Sequence, residues 1–313
     1  MASIQARLFT GLLRVVSGYR SKSNDTPPEA ALHKSRAFTR LMTMPQWPGT
    51  RSIPAKVPHV DATWHVGDTI RDDVRIVYFH GGAYTAGSSK THRHFTSMLA
   101  KLSHIPVLSV DYRLAPEHPF PAAFDDAIAA YTWAKENGPN RASTAQHLII
   151  AGDSAGGGLS VAAAMQLRDA GTLIDGALVL LSPWMDLTCS SGAAERIGHL
   201  DAMLNVDHAK MMAGLYAGDH TLTDPRLSPL YGDFRGLPPL FMAIGGREIV
   251  LDEALAAIQK AQEADVDVTI ERNEEMFHVW PVLFHLVPEG KESLERIVAW
   301  LQWKFPEPLG SDA

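Results

Sequence analysis

Stretches of β-type and helix-type sequence alternate through most of this chain, and that alternation narrows the fold more than any other feature. Short runs rich in Val, Ile and Leu lie at 74–79, 106–110, 148–151, 177–181, 240–244 and 266–270. Longer segments with helical periodicity fall between or after them, at 91–102, 121–137, 155–170, 252–264 and 291–304. Strands that are apolar on both faces need cover on both faces, and helices in the connections supply it. The pattern predicts an α/β fold, a mostly parallel sheet with helices on both sides. At 313 residues the chain is long enough for one large domain of this kind.

Two regions break the alternation. Residues 21–60 are polar and carry Pro27, Pro28, Pro45, Pro48, Pro54 and Pro58. They read as a linker or irregular cap segment with one short helix at 29–41. Residues 185–231 hold Met203, Met211, Met212, Leu215 and Tyr216, then the turn-rich Asp224-Pro225-Arg226-Leu227-Ser228-Pro229. This is expected to be an inserted cap helix which, with an N-terminal cap segment at 1–50, covers the C-terminal edge of the sheet of a 51–313 catalytic domain. That edge is where open α/β sheets bind ligands. The first twenty residues set Ile4, Leu8, Leu12 and Val15 at helical spacing, with Phe9 and Val16 beside them and Arg7, Arg14 and Arg20 among them. The apolar part is too short and too often interrupted for a signal peptide. An amphipathic helix that docks on its own domain is expected, with a membrane surface as the alternative seat.

Bulk properties exclude several classes. The net charge is 28 − 35 = −7, whereas a nucleic-acid partner requires a basic face. A single cysteine, Cys189, leaves no internal disulfide and points to a reducing, cytoplasmic setting. No run of about 18 apolar residues predicts a membrane span. No metal-ligand spacing, phosphate loop or dinucleotide fingerprint occurs, so no metal or cofactor is expected.

The chemistry is carried by Gly152-Asp153-Ser154-Ala155-Gly156, between the run at 148–151 and the helix pattern that follows. A strand turning sharply into a helix around one serine is the setting of a nucleophile elbow. Such a serine needs a base, a carboxylate to orient the base, and donors for an oxyanion. In chain order the acid and then the histidine follow the serine. His278 lies in a loop beyond the run at 266–270 and is favoured as base over His285, which sits in an apolar stretch at helix-like spacing. The acid is expected just after the run at 240–244, where Glu248, Asp252 and Glu253 stand. Glu248 comes first after Gly245-Gly246-Arg247 and is favoured; Asp252 is the second choice, as a residue type that also starts helices, and Asp186 ranks below both. Oxyanion donors are expected from the N–H groups of Gly81, Gly82 or Ala83 in His80-Gly81-Gly82-Ala83-Tyr84, together with Ala155.

Three segments in this order resemble the bacterial hormone-sensitive-lipase-like family of α/β-hydrolases. They are His80 to Tyr84, Asp111-Tyr112-Arg113-Leu114-Ala115-Pro116-Glu117 with Pro119-Phe120-Pro121-Ala122-Ala123, and Gly152 to Gly157. The likeness runs over about 73–303. It implies an eight-stranded α/β-hydrolase fold with a helical cap, and a serine carboxylesterase acting on short- to medium-chain acyl esters. It implies structural roles for Asp111, Arg113 and Glu117, as an ion-pair and turn network beneath the site, and a loop-fixing role for His80. Relatives in the family are often homodimers. Two positions depart from the family pattern: Ala83 stands where a third glycine is usual, and Glu248 where the acid motif has Asp. A lactone hydrolase would use the same residues. A non-catalytic small-molecule receptor of this fold would lack the histidine that is present here as His278.

Overall fold

A computed structural model describes residues 2–16, 27–173 and 175–307; Arg20 and the start of the proline-dotted segment lie outside them. The chain opens with helix α1, Ile4–Val16, and α2, Pro28–Leu41, then the strands β1, Arg51–Val57, and β2, Val60–Val66. The alternation follows: β3 Val74–Phe79, α3 Ser89–Ser103, β4 Val107–Val110, α4 Ala122–Glu136, β5 His147–Asp153, α5 Ala155–Asp169 and β6 Gly176–Leu181. Two inserted helices, α6 Ala193–Ile197 and α7 Val206–Ala217, precede β7 Leu240–Gly245, α8 Leu251–Glu263, β8 Val268–Asn273 and α9 Pro288–Lys304.

The strands form one eight-stranded sheet in the order β1-β2-β4-β3-β5-β6-β7-β8. Only β2 runs against the others, pairing antiparallel with β1 and with β4. The central strands β3, β6 and β7 are buried along their whole length, and β5 from Leu148 onward, so their alternate side chains feed two separate cores. One core gathers Val77, Phe79, Ile150, Leu178 and Leu180 with α4, α5 and α8. The other gathers Ile76, Tyr78, Ile149, Val179 and Phe241 with α3 and α9.

Five of the six expected strands fall within two residues of their predicted ends, and β8 lies two to three residues further on than its apolar run. The short helix expected at 29–41 is α2, but the hairpin β1–β2 corrects the reading of the rest of 21–60 as linker or irregular segment. Pro54 sits in the outermost strand, where a missing N–H leaves no ladder bond broken toward solvent. The N-terminal helix is a second correction. It does dock, with Ser3 Oγ capping it at the Ala6 N–H, but the face it buries is Ala6, Thr10 and Leu13. The stripe of Ile4, Leu8, Leu12 and Val15 points outward.

Candidate active site

The elbow is built where β5 gives way to α5. Ser154 has φ 52° and ψ −121°, a backbone state that costs a non-glycine residue about 1–3 kcal/mol. Close packing holds it there: a Cβ on Gly156 would lie 2.0 Å from the Phe79 carbonyl oxygen of β3. The serine is thereby pinned at the start of α5, where the helix dipole favours developing negative charge.

His278 and Glu248 complete a line of hydrogen bonds with the serine. His278 Nε2 is 2.9 Å from Ser154 Oγ, and His278 Nδ1 is 2.6 Å from Glu248 Oε2. The loop after β8 delivers the histidine, and the turn after β7 delivers the carboxylate, which is fully buried. Glu248 Oε1 accepts hydrogen bonds from the Gly245 N–H and from Ser182 Oγ, the latter at 3.0 Å. Burial opposes a charged imidazolium at His278, but the Glu248 hydrogen bond and charge outweigh it and raise the pKa above the usual histidine value.

The alternative residues lie elsewhere. Asp252 forms a two-pronged ion pair with Arg196, at 2.8 and 2.9 Å, and does not hydrogen-bond His278. Asp186 is buried but spends its carboxylate on Thr188 and Ser190. His285 packs edge-on against His94 rather than the serine.

One of the expected oxyanion donors is already committed. The Gly81 N–H donates to Asp153 Oδ1 at 3.0 Å. Asp153 also accepts from Tyr78 and lies 3.4 Å from His92 Nε2. Burial pushes the Asp153 carboxyl up, yet His92 and these hydrogen bonds hold it below the usual carboxylate range. The oxyanion loop is thus tied to the residue before the serine. Among the described residues, the N–H groups of Gly82, Ala83 and Ala155 donate to no protein acceptor. Ala83 sits at φ 54°, so the alanine occupies a left-handed conformation that glycine would adopt freely. His80 is loop-fixing as expected: it stacks on Tyr112 at 4.2 Å, and burial lowers its pKa to about 3, so it stays neutral.

Asp111, Arg113 and Glu117 do not share one network. Asp111 holds the start of α3 through Ser89, Arg113 pairs with Asp126 of α4, and Glu117 pairs with Arg36 of α2. Arg36 also donates to the Thr85 and Ala115 carbonyls, so it ties α2 to the loop beside the oxyanion donors.

Sequence reasoning missed Ser182. Its hydroxyl donates to Glu248 and accepts the Val279 N–H at 3.0 Å, so it fixes Glu248 and the residue after His278 together. The only signal was its place, one residue past the run at 177–181.

Two cavities meet at Ser154. The smaller, about 50 Å³, is lined by Ala83, Trp184, Leu204, Val206, Ile249 and Glu253 among others. The larger, about 160 Å³, is lined by His278, Phe38, Met42, Met44, His94 and Val282 among others. Helices α2 and α7 pack on each other above them. Glu253, at the small cavity, accepts the Met185 N–H at 2.7 Å, and burial raises its pKa well above the carboxylate range.

A half-buried serine on a strained strand-to-helix turn, a buried histidine–carboxylate pair and free backbone donors beside it define a serine hydrolase of the α/β class. A family model described as alpha/beta hydrolase fold matches residues 76–282. An acetyl-hydrolase of Streptomyces hygroscopicus is 40% identical over 255 residues, covering 81% of this chain and 83% of that protein. The Mycobacterium tuberculosis carboxylesterase NlhH is 31% identical, covering 92% of this chain and 88% of that protein. A solved structure described as an esterase from the bacterial hormone-sensitive lipase family superposes with TM-score 0.84 at 35% identity, covering 96% of this chain and 98% of that one. The chain belongs to this α/β-hydrolase family and is a carboxylic ester hydrolase.

Proposed function

We propose that Ser154 is the nucleophile, His278 its base and Glu248 the acid that orients the base, in hydrolysis of short-chain acyl esters. The observation that carries this reading is the unbroken line from Ser154 Oγ through His278 to Glu248, at 2.9 and 2.6 Å. Ser154 Oγ attacks the ester carbonyl while His278 Nε2 takes its proton. Glu248 keeps the Nδ1–H tautomer in place and stabilises the imidazolium. The N–H groups of Gly82, Ala83 and Ala155 receive the oxyanion, which replaces the four-residue set expected from sequence by three. The imidazolium then protonates the leaving alkoxide, and water attacks the acyl-enzyme with His278 again as base.

His278 must face the leaving oxygen, and it lines only the larger cavity. The alcohol portion therefore goes to the larger cavity and the acyl portion to the smaller. A volume of about 50 Å³ gives room for roughly four water-sized groups, which fits an acyl chain of about 2–4 carbons. Helices α2 and α7 act as the cap over both, uniting the 1–50 segment with the 185–231 insertion. A homodimer in a cytoplasmic setting completes the reading; sedimentation velocity of the purified chain reads the dimer directly.

The test is turnover of p-nitrophenyl butyrate by Ser154→Ala. A loss of about 10⁴-fold or more is expected. Wild-type-like turnover would remove the mechanism.

A further inference from the structure

The first helix buries the lesser part of its apolar surface. Ile4, Leu8, Leu12 and Val15 are 65%, 71%, 54% and 78% exposed. With Val16 they make up five of the eleven exposed large apolar side chains among the described residues. At 100° per residue the first four fall within an arc of about 80°. Gly11 lies about 20° beyond the edge of this arc, and a Cβ there would meet nothing within 4 Å. This face is open and continuous, where the remaining six exposed apolar residues, such as Tyr231, Ile270 and Trp303, are dispersed along the chain.

The opposite face is firmly held. Ala6, Thr10 and Leu13 are buried, Phe9 packs on Phe277 at 5.7 Å, and Arg14 donates to the Leu200 carbonyl at 2.9 Å. Glu275 and Glu289 hold the Ala2 and Ser3 N–H groups from the domain side. The helix is a fixed part of the domain with its hydrophobic stripe turned out, so exposure is not a consequence of fraying.

Two occupants suit such a face: a second copy of the chain, or a lipid surface. Five partly exposed aliphatic side chains offer on the order of 400 Å². That is half of the roughly 800 Å² each partner gives to a standard protein interface. Charge separates the two further. The protein carries −7 overall, but α1 has no acidic residue and sets the exposed Arg7 along one border of the stripe, Arg14 being held to the domain through Leu200. A stripe bordered by arginine on an acidic protein turns a chosen side toward an anionic surface. No helix among the described residues is long and apolar enough to cross a membrane, so the seat is the interface plane.

We propose that α1 lies along an anionic phospholipid surface, with Ile4, Leu8, Leu12 and Val15 inserted among the upper acyl chains and the hydrolase domain left in water. The enzyme is thereby a peripheral membrane protein whose substrate can arrive from the lipid phase.

The experiment is flotation of the full chain with vesicles of phosphatidylcholine, alone or mixed with phosphatidylglycerol, at low and at high salt. The expected result is flotation with the mixed vesicles, several-fold weaker with phosphatidylcholine alone or at high salt. In Leu8→Glu/Leu12→Glu, binding should fall by on the order of 100-fold. Both positions are exposed, so this variant should keep the wild-type Tm and p-nitrophenyl butyrate turnover, which shows that the domain is folded whatever the vesicles report. A wild-type chain that never floats, or a variant that floats as well as wild type, overturns the proposal. Equal binding to neutral and anionic vesicles overturns its electrostatic part. A wild-type dimer that the double substitution dissociates, without vesicle binding, assigns the face to a second copy instead.

Discussion

Replacing Glu248 by Gln tests the site at the point where structure adds most to sequence. The side chain is fully buried, and its two oxygens have different duties. Oε1 accepts from a backbone donor, the Gly245 N–H, and from Ser182; Oε2 accepts from His278 at 2.6 Å. A glutamine must keep its carbonyl oxygen toward the fixed Gly245 N–H, because an NH₂ there would face another donor. Its NH₂ then points at His278 Nδ1, which must become an acceptor and move its proton to Nε2. With Nε2 protonated, His278 cannot take the Ser154 proton. The corresponding acid-to-amide change in a serine protease lowers kcat by about 10⁴, and a loss of about 10³–10⁴, or roughly 4–5.5 kcal/mol of barrier, is expected here. Stability should not fall in step, since the change removes a buried charge as well as its partner's attraction. The assay is kcat for p-nitrophenyl butyrate, with Tm beside it. Glu248→Asp, which keeps the charge, should recover part of the rate. Asp252→Asn should cost less than about threefold, because that residue only pairs with Arg196 near the surface. A Glu248→Gln enzyme within tenfold of wild type, or an Asp252→Asn enzyme as damaged as Glu248→Gln, refutes the reasoning.

Other outcomes follow from the same geometry. Ser182→Ala removes the hydroxyl that links Glu248 to the Val279 N–H, and should lower kcat about 10–100-fold with little change in KM, measured by steady-state kinetics. If His278 is the base, it works only when neutral, and since Glu248 raises its pKa, kcat/KM should decline as pH falls through a value above the ordinary histidine pKa. A pH profile flat down to pH 5 would contradict that sign. Ala83→Gly should leave Tm nearly unchanged, since relief of the φ 54° conformation offsets the added freedom of the unfolded chain, whereas Gly82→Ala would set a Cβ 2.2 Å from the Ala86 carbonyl oxygen and should unfold the loop or abolish turnover. Val206→Ala should widen the small cavity and move the optimum in a p-nitrophenyl ester series toward longer acyl chains, while leaving acetate turnover within about threefold.

What the sequence made legible was local. The elbow could be found because Gly152, Ser154 and Gly156 satisfy a steric demand within five residues, and β5 and α5 announce themselves by their periods. Glu248 and His278, the acid and base proposed here, could be singled out because α/β topology fixes their order, and each follows its own strand. What was not legible depended on packing between distant segments. The Gly81 N–H looks like any other donor in a glycine loop until β3 and β5 bring Asp153 beneath it. Ser182 acquires a role only because β6 ends between Glu248 and Val279. The pairing of Glu117 with Arg36, rather than with a neighbour in its own motif, requires α2 to fold back over the loop. The hairpin β1–β2 was hidden by Pro54 and by the charged Lys56 and Asp61, which suit an exposed edge but blur a strand pattern. In α1 the larger apolar side chains marked the stripe most easily seen, yet the small face of Ala6 and Thr10 with Leu13 is the one that approaches the domain closely enough to pack.

The most direct measurement is a pre-steady-state burst. Mixed rapidly with p-nitrophenyl butyrate, the enzyme should release up to one p-nitrophenol per active site before the steady state where deacylation limits turnover. Rapid acid quench and peptide mass spectrometry should then find the butyryl group on the peptide that contains Ser154, and on no peptide of Ser154→Ala. An acyl group on another residue, or full turnover by Ser154→Ala, would contradict the account.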